Sequence, residues 1–227
     1  MLFITPDMFE YEPVQIANVL ENGDKKTAVI RFIATYEKRG LVELLGDCLT
    51  KELYDSFELV SSASKYTLKA NATQAIKDLV EGKEYDKPED SDFNNVIVWD
   101  LNWAGCGCGC GEDGCTKRYW KGIVQEDKFL LGTVLKSAKR SFLGDYIYYH
   151  HSYVNRSQTT GTGQKVVEGE NSTSVQNFSK RIDRYNEFVF QVLGRANETS
   201  LYQFLSENKA DYPTWSPNCN LRFKEKY

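Results

Sequence analysis

The stretch richest in reactive side chains is GCGCGCGEDGC, which places Cys106, Cys108, Cys110 and Cys115 within ten residues. Four thiolates are the donor set of a tetrahedral zinc site, and interleaved glycines let a backbone fold tightly around an ion. The spacing works against that reading. Zinc sites commonly pair two Cys-x-x-Cys knuckles across a longer segment, and Cys-x-Cys-x-Cys is cramped for such a scheme. Zinc held by these four residues therefore competes with a glycine-rich hairpin tip of incidental or redox-labile thiols. A late disulfide or an inter-subunit contact is a third option. Cys48 reads as a core residue and Cys219 as part of a tail.

The only histidines are the adjacent pair His150 and His151. Neighbours on a helix point about 100° apart, so the two cannot share a ligand face. They are expected in an aromatic packing patch, not as metal ligands or a general base. Any nucleophile–base arrangement would have to use them, and no suitable partner stands near, so no catalytic residue is assigned and no enzyme is expected. TTGTGQK (159–165) lacks the GxxxxGK[ST] spacing and follows a predicted helix where a phosphate loop follows a strand. Lys136, Lys139, Arg140, Arg156, Lys180, Arg181 and Arg184 are balanced by acids and read as solvated helix faces.

The elements that must position these residues are mostly helical by pattern. Residues 1–23, with Pro6 and Pro13, read as an irregular or partly helical arm. From Asp24 onward, Val29, Phe32, Ile33 and Tyr36 recur at the i, i+3, i+4, i+7 spacing of a helix. A break at Leu45-Gly46-Asp47 precedes a second stripe of Leu49, Leu53, Tyr54 and Phe57. Asn71 is expected to cap a third helix, with Gln74 in a capping box and Ala75, Ile76, Leu79 and Val80 inward, ending at Gly82. Charged residues and Pro88 make 83–95 an expected loop. The runs NVIVWDL (95–101) and TKRYWKGIV (116–124) predict a β-hairpin over 95–124 with the cysteines at its tip.

A fourth helix is predicted over 126–151, about 38 Å long at 1.5 Å per residue. Its inward face would carry Phe129, Leu130, Val134, Ala138, Ser141, Phe142, Asp145, Tyr146 and Tyr149. The polar segment 152–173 is read as a flexible docking loop ordered by a partner. A fifth helix starts at Ser174, with Val175, Phe178, Ile182, Tyr185, Val189 and Val192 inward. It is expected to extend past Gly194 through Leu201, Phe204 and Leu205, stopping before Pro213. Residues 213–227 form an extended tail. The fold class predicted is mainly α: a helical bundle over 24–212 with two long helices, a small β-hairpin insertion and extended terminal arms.

The formal net charge of -4 excludes an overall basic field for gripping nucleic acid. No run approaches the roughly 18 apolar residues of a membrane span, and no membrane association is expected. The opening MLFITPDMFEYEP lacks a basic n-region and an apolar h-region, so no signal peptide is expected. The five Asn-x-Ser/Thr matches then carry no glycan meaning, and the six cysteines belong to a reducing cytoplasm. Rich in Tyr and Phe yet hydrophilic overall, the chain suits partner surfaces that use amphipathic rings.

In order along the chain come FIATYEKRGLVELLGDCLTKELYDSF, LVEGKEY, YWKGI, FLGDYIYYHHSYVNR, TTGTGQKVV and a helix with RYNEF. Together, over roughly 24–193, they make the chain resemble head–tail connector (adaptor) proteins of tailed bacteriophages, of the type found in Bacteroidetes and crAss-like phages. The cysteine-rich tip and the tail fall outside that pattern. The resemblance implies a virion protein forming a ring, typically a dodecamer, in the phage neck. Such a ring docks on the portal protein, meets tail or further ring proteins, and lines or seals the channel through which DNA passes. It implies residence in the virion neck, with the host cytoplasm as the place of assembly. The alternative from the residues themselves is an interaction or regulatory module that binds zinc through Cys106, Cys108, Cys110 and Cys115.

Overall fold

The structure is a computed structural model and describes residues 4–9, 14, 24–60, 65–89, 117–131, 134–154, 157–160, 163–166, 174–194, 199–217 and 221–224. It is mainly helical, with small antiparallel strand pairs. The first helix, α1 (Asp24–Asp55), carries the predicted break: Gly46 has φ 79° and ψ 168°. Of the expected stripes, Ile33, Leu49 and Leu53 are buried and Val29, Phe32, Tyr36 and Tyr54 half-buried against the core, which Leu41, Leu44 and Leu45 join. Breaking a helix frees the carbonyls of the turn before the break. Here the chain 171 residues later supplies the donors: Trp215 Nε1 donates to the Leu44 carbonyl (3.2 Å) and the Ser216 N–H to that of Leu45 (3.3 Å). A Cβ on Gly46 would sit 2.3 Å from the Ser216 carbonyl oxygen, so only glycine lets the two backbones meet.

The second apolar stripe runs out one residue early. Phe57 opens β1 (Phe57–Val60), which pairs antiparallel with β2 (Lys65–Leu68), Phe57 opposite Leu68. Then α2 (Gln74–Glu81) is capped by Thr73, whose side chain accepts from the Ile76 N–H, and not by Asn71. Gln74 makes no capping box; its amide donates to Asp78 Oδ1 at 2.6 Å, one turn on. Ile76, Leu79 and Val80 are buried and Gly82, at φ 97°, ends the helix as its position foretold.

The expected loop over 83–95 begins instead as a strand, β3 (Lys83–Asp86), paired antiparallel with β4 (Lys117–Trp120). The second strand of the predicted hairpin is thus real, but its partner lies earlier in the chain. Residues 95–101 lie outside those described. After β4 the chain turns at Gly122 and closes the end of α2. Trp120 Nε1 and the Ile123 N–H both donate to the Leu79 carbonyl, and the Val124 N–H to that of Val80.

The long helix predicted over 126–151 does not exist. Its first half is a β-hairpin, β5 (Gln125–Leu131) with β6 (Val134–Arg140), and only its second half is helical, as α3 (Phe142–Val154). Leu131 pairs with Val134, so two residues of sequence, Gly132-Thr133, join the strands, a length and composition common in hairpins. The segment read as a flexible docking loop contains a further ribbon, β7 (Ser157–Thr160) with β8 (Gly163–Val166). The helix α4 (Ser174–Leu193) starts where predicted and buries Ile182, Phe188, Val189 and Val192. It does not run on: Gly194 has φ 112°, and a separate α5 (Leu201–Glu207) follows, capped by the Ser200 hydroxyl, which accepts from the Gln203 N–H.

Aromatic rings tie these helices together. Trp120 of β4 stacks on Phe204 of α5 (5.5 Å, 13°) and leans on Phe142 of α3; Phe142 and Tyr146 reach Phe188 of α4. Gly40 brings α3 close to α1, since a Cβ there would lie 3.0 Å from the Leu143 side chain. The N-terminal arm, read as irregular or partly helical, contains a 3-10 turn over Pro6–Phe9 that packs on the core. Ile4 and Phe9 are fully buried, and the Ile4 N–H donates to buried Glu37 (2.9 Å). Tyr212 is buried and donates to the Ala75 carbonyl (2.7 Å).

Candidate assembly surface

The four cysteines nominated for metal, Cys106, Cys108, Cys110 and Cys115, lie outside the described residues, as does Cys219. Among the described residues, no group of three or more His, Cys, Asp or Glu side chains could hold a metal. Cys48 is exposed, contrary to its reading as core. It follows the kink by two residues, where the turn carries Asp47 and Cys48 outward and leaves Leu49 and Thr50 inward. No helix among the described residues is long and apolar enough to cross a membrane.

The histidine pair sits in the aromatic patch that its setting predicted. His150 stacks on Tyr36 of α1 (4.6 Å) and meets Tyr146 and Tyr149 edge-on, while His151 meets Phe32 edge-on at 5.4 Å. Burial, helped by the Arg39 and Lys224 charges, lowers the His150 pKa to about 4; burial lowers that of His151 as well. Both rings are therefore neutral near pH 7, and they serve as packing surfaces. On the preceding turn of α3, burial pushes Asp145 up to about 7, against the pull of Arg184 (3.4 Å) and Arg140 and with a push from Glu187.

These two shifts act oppositely on stability in one pH window. Asp145, raised from 3.8, stabilises the fold at low pH and loses that contribution as pH rises to about 7. His150, lowered from 6.5, stabilises it above that value and loses its contribution as pH falls to about 4. In wild type the slopes offset each other. Asp145→Asn is expected to give a urea midpoint that climbs with pH across the window relative to wild type, and His150→Gln one that declines. Parallel profiles for all three proteins would show that neither group titrates in this way.

The basic residues divide along structural lines. Lys139 and Arg140 are exposed on β6, as expected for solvated positions, although on a strand. Arg181 is buried with its guanidinium over the Tyr149 ring (5.7 Å), Lys180 lies over Tyr148 (5.8 Å), and Arg184 engages Asp145. Lys180, Arg181 and Arg184 therefore belong to α3–α4 packing. TTGTGQK spans β7 and β8, a hairpin, so it does not lead from a strand into a helix as a phosphate loop must.

All four sheets are two-stranded. Each of their eight strands thus keeps an edge with no third strand among the described residues. On β1–β2, Leu59 (55% exposed) and Tyr66 (39%), cross-strand partners, present apolar surface to solvent. Open edges and paired exposed apolar residues are features of contact surfaces. No protein family, curated protein or solved structure matches the chain.

Proposed function

We propose that this chain is a structural protein that forms a ring in the neck of a tailed-phage virion, joining portal to tail and lining or sealing the DNA channel. The ordered motifs over 24–193 support that reading by resemblance. The observation that carries it is the set of two-stranded ribbons around a helical core. An isolated hairpin is marginal in water, and its free edge gains a strand from a neighbour. A closed ring needs two different complementary faces on every subunit, and ribbons on separate elements supply such faces. The net charge of -4 suits a channel along which DNA slides without sticking. On this reading the chain is not an enzyme, its ring has about twelve copies as the resemblance implies, and β7–β8 is the element that docks on a neighbour or on the portal.

The test is co-expression with a candidate portal protein from the same genome. The expected product is a rotationally symmetric ring in electron micrographs that co-purifies with the portal. Deleting residues 159–165 is expected to leave helical circular dichroism intact and to abolish co-purification. A wild-type chain that stays monomeric and free of portal at every concentration refutes the proposal.

A further inference from the structure

Residues Leu221, Arg222, Phe223 and Lys224 run alongside α4 without regular secondary structure. One side chain reads the backbone of this segment. The Asn186 amide donates from Nδ2 to the Lys224 carbonyl (2.9 Å) and accepts the Lys224 N–H at Oδ1 (2.8 Å), as a neighbouring strand would. Two rings read the cation: Lys224 Nζ lies 4.1 Å from the centroid of Tyr149 and 4.2 Å from that of Tyr185, and it donates to the Tyr149 hydroxyl. Phe190 reads the ring before it, with Phe223 at 4.6 Å. Backbone, aromatic ring and ammonium are thus each recognised by a different part of one α3–α4 groove, which is how a sequence-selective peptide site is built. The Phe-Lys pair occurs nowhere else in the chain.

Docked on its own subunit, the segment leaves apolar surface uncovered. Phe223 stays 48% exposed beside Phe190, and Leu193, one turn further along α4, stays 38% exposed. A surface that binds this segment in one copy binds it in every copy. We infer that the α3–α4 groove is a docking site for the Phe223–Lys224 segment of a second copy of this chain, and that the segment's own-subunit position is what the isolated molecule adopts. Tail-to-groove contact between copies joins two different faces, so it propagates head to tail and closes into a ring or extends. The intramolecular arrangement wins at low concentration because the tether holds the segment near its groove; exchange wins when subunits crowd together. The inference concerns the purified chain and stands whether or not the assembly sits in a virion.

The experiment uses two full-length variants, a groove variant (Asn186→Ala, or the isosteric Asn186→Asp) and a tail variant (Phe223→Ala with Lys224→Ala). Each alone is expected to be monomeric by light scattering. Mixed, they are expected to form a one-to-one complex, because the intact tail of the first fits the intact groove of the second. A synthetic peptide of residues 220–227 is expected to bind the tail variant saturably and to compete with that complex. Lys224→Ala in the peptide should weaken binding about tenfold, the scale of a partly desolvated cation–π contact. A mixture that remains monomeric while the peptide binds shows that the segment stays on its own subunit and overturns the exchange. A peptide that does not bind the tail variant overturns the groove itself. If the groove variants fail to fold, wild type and tail variant compared across concentrations decide the matter: association of wild type alone upholds exchange, and identical behaviour refutes it.

Discussion

Replacing Arg118 with leucine is expected to cost about 3–5 kcal/mol, the range for breaking a buried ion pair by removing one partner. Arg118 on β4 is fully enclosed, and its Nη1 lies 2.8 Å from Glu207 Oε1 on α5, with both side chains essentially inaccessible to water. The other carboxylate oxygen accepts from the Tyr85 hydroxyl at 2.7 Å. Burial first, and then the Glu207 carboxylate, push the Tyr85 hydroxyl well above its ordinary range, so it remains a donor at any working pH. Without Arg118, the Glu207 side chain is left buried with the cation that faces it gone. A loss of that size is a large share of the roughly 5–15 kcal/mol that holds a domain folded. Replacing both residues with Met should recover most of it, because two apolar side chains leave no orphaned charge. Urea midpoints for both single variants and the double variant measure this coupling. If the double variant is as unstable as the sum of the singles, packing and not charge pairing explains the effect.

Gly122→Ala is expected to lose about 3 kcal/mol or more. A positive φ costs a side-chain-bearing residue about 1–2 kcal/mol, and each hydrogen bond strained at the crossing adds about 1. Gly122 has φ 86°, and a Cβ there would meet the Val80 carbonyl oxygen at 2.5 Å and the Gly82 nitrogen at 2.7 Å. These are backbone atoms and cannot rotate away. Gly82 faces the same crossing, its own Cβ position lying 2.5 Å from the Trp120 carbonyl oxygen. Pushing the strands apart there strains the bonds from Ile123 and Val124 onto the end of α2. Gly144 is the matched control. It lies inside α3 with nothing within 4 Å of a Cβ, so Gly144→Ala should stabilise by about 0.5–1 kcal/mol. Thermal melts of the two variants should move in opposite directions; a shift of the same sign in both would contradict the assignment of Gly122 as a contact-forced position.

The contrast between these glycines shows what was legible in the sequence. Gly46 and Gly82 interrupt helical stripes, so the breaks they make are readable from period alone, although the backbones that crowd them, at Ser216 and Trp120, are distant in sequence. The partner that forces glycine at Gly122 is the end of α2, which no neighbouring residue announces. The same division runs through the fold. The α4 stripe and the histidine packing patch follow from nearest-turn spacing. The pairing of β4 with β3 is a long-range choice, and the β-branched run at 95–101 was the more attractive partner on composition. Over 126–151, Phe129, Leu130, Val134, Ala138 and Phe142 satisfy a helical period although the first half is a hairpin. Gly132-Thr133, flanked by apolar residues on both sides, was the opposing signal. Nothing in the sequence pairs Arg118 with Glu207, since a buried ion pair needs only proximity in the fold. Of the candidate assembly surface, the polar segment around TTGTGQK was visible, whereas the strand edges and the Asn186 groove appear only once elements are placed.

The kink in α1 has a consequence for how the molecule is made. The carbonyls of Leu44 and Leu45 find their donors on Trp215 and Ser216, and the Trp215 bond spans 171 positions of sequence. At a ribosomal pace of about 5–20 residues per second, the first helix waits on the order of ten to thirty seconds for the residues that complete its break. Until then the carbonyls of Leu44 and Leu45 lack these donors, and contacts of such separation form slowly. On the proposed ring reading, a chain that has not yet reached Ser216 lacks the contact that closes the Gly46 kink, so its first helix is not in the form that neighbouring copies would meet.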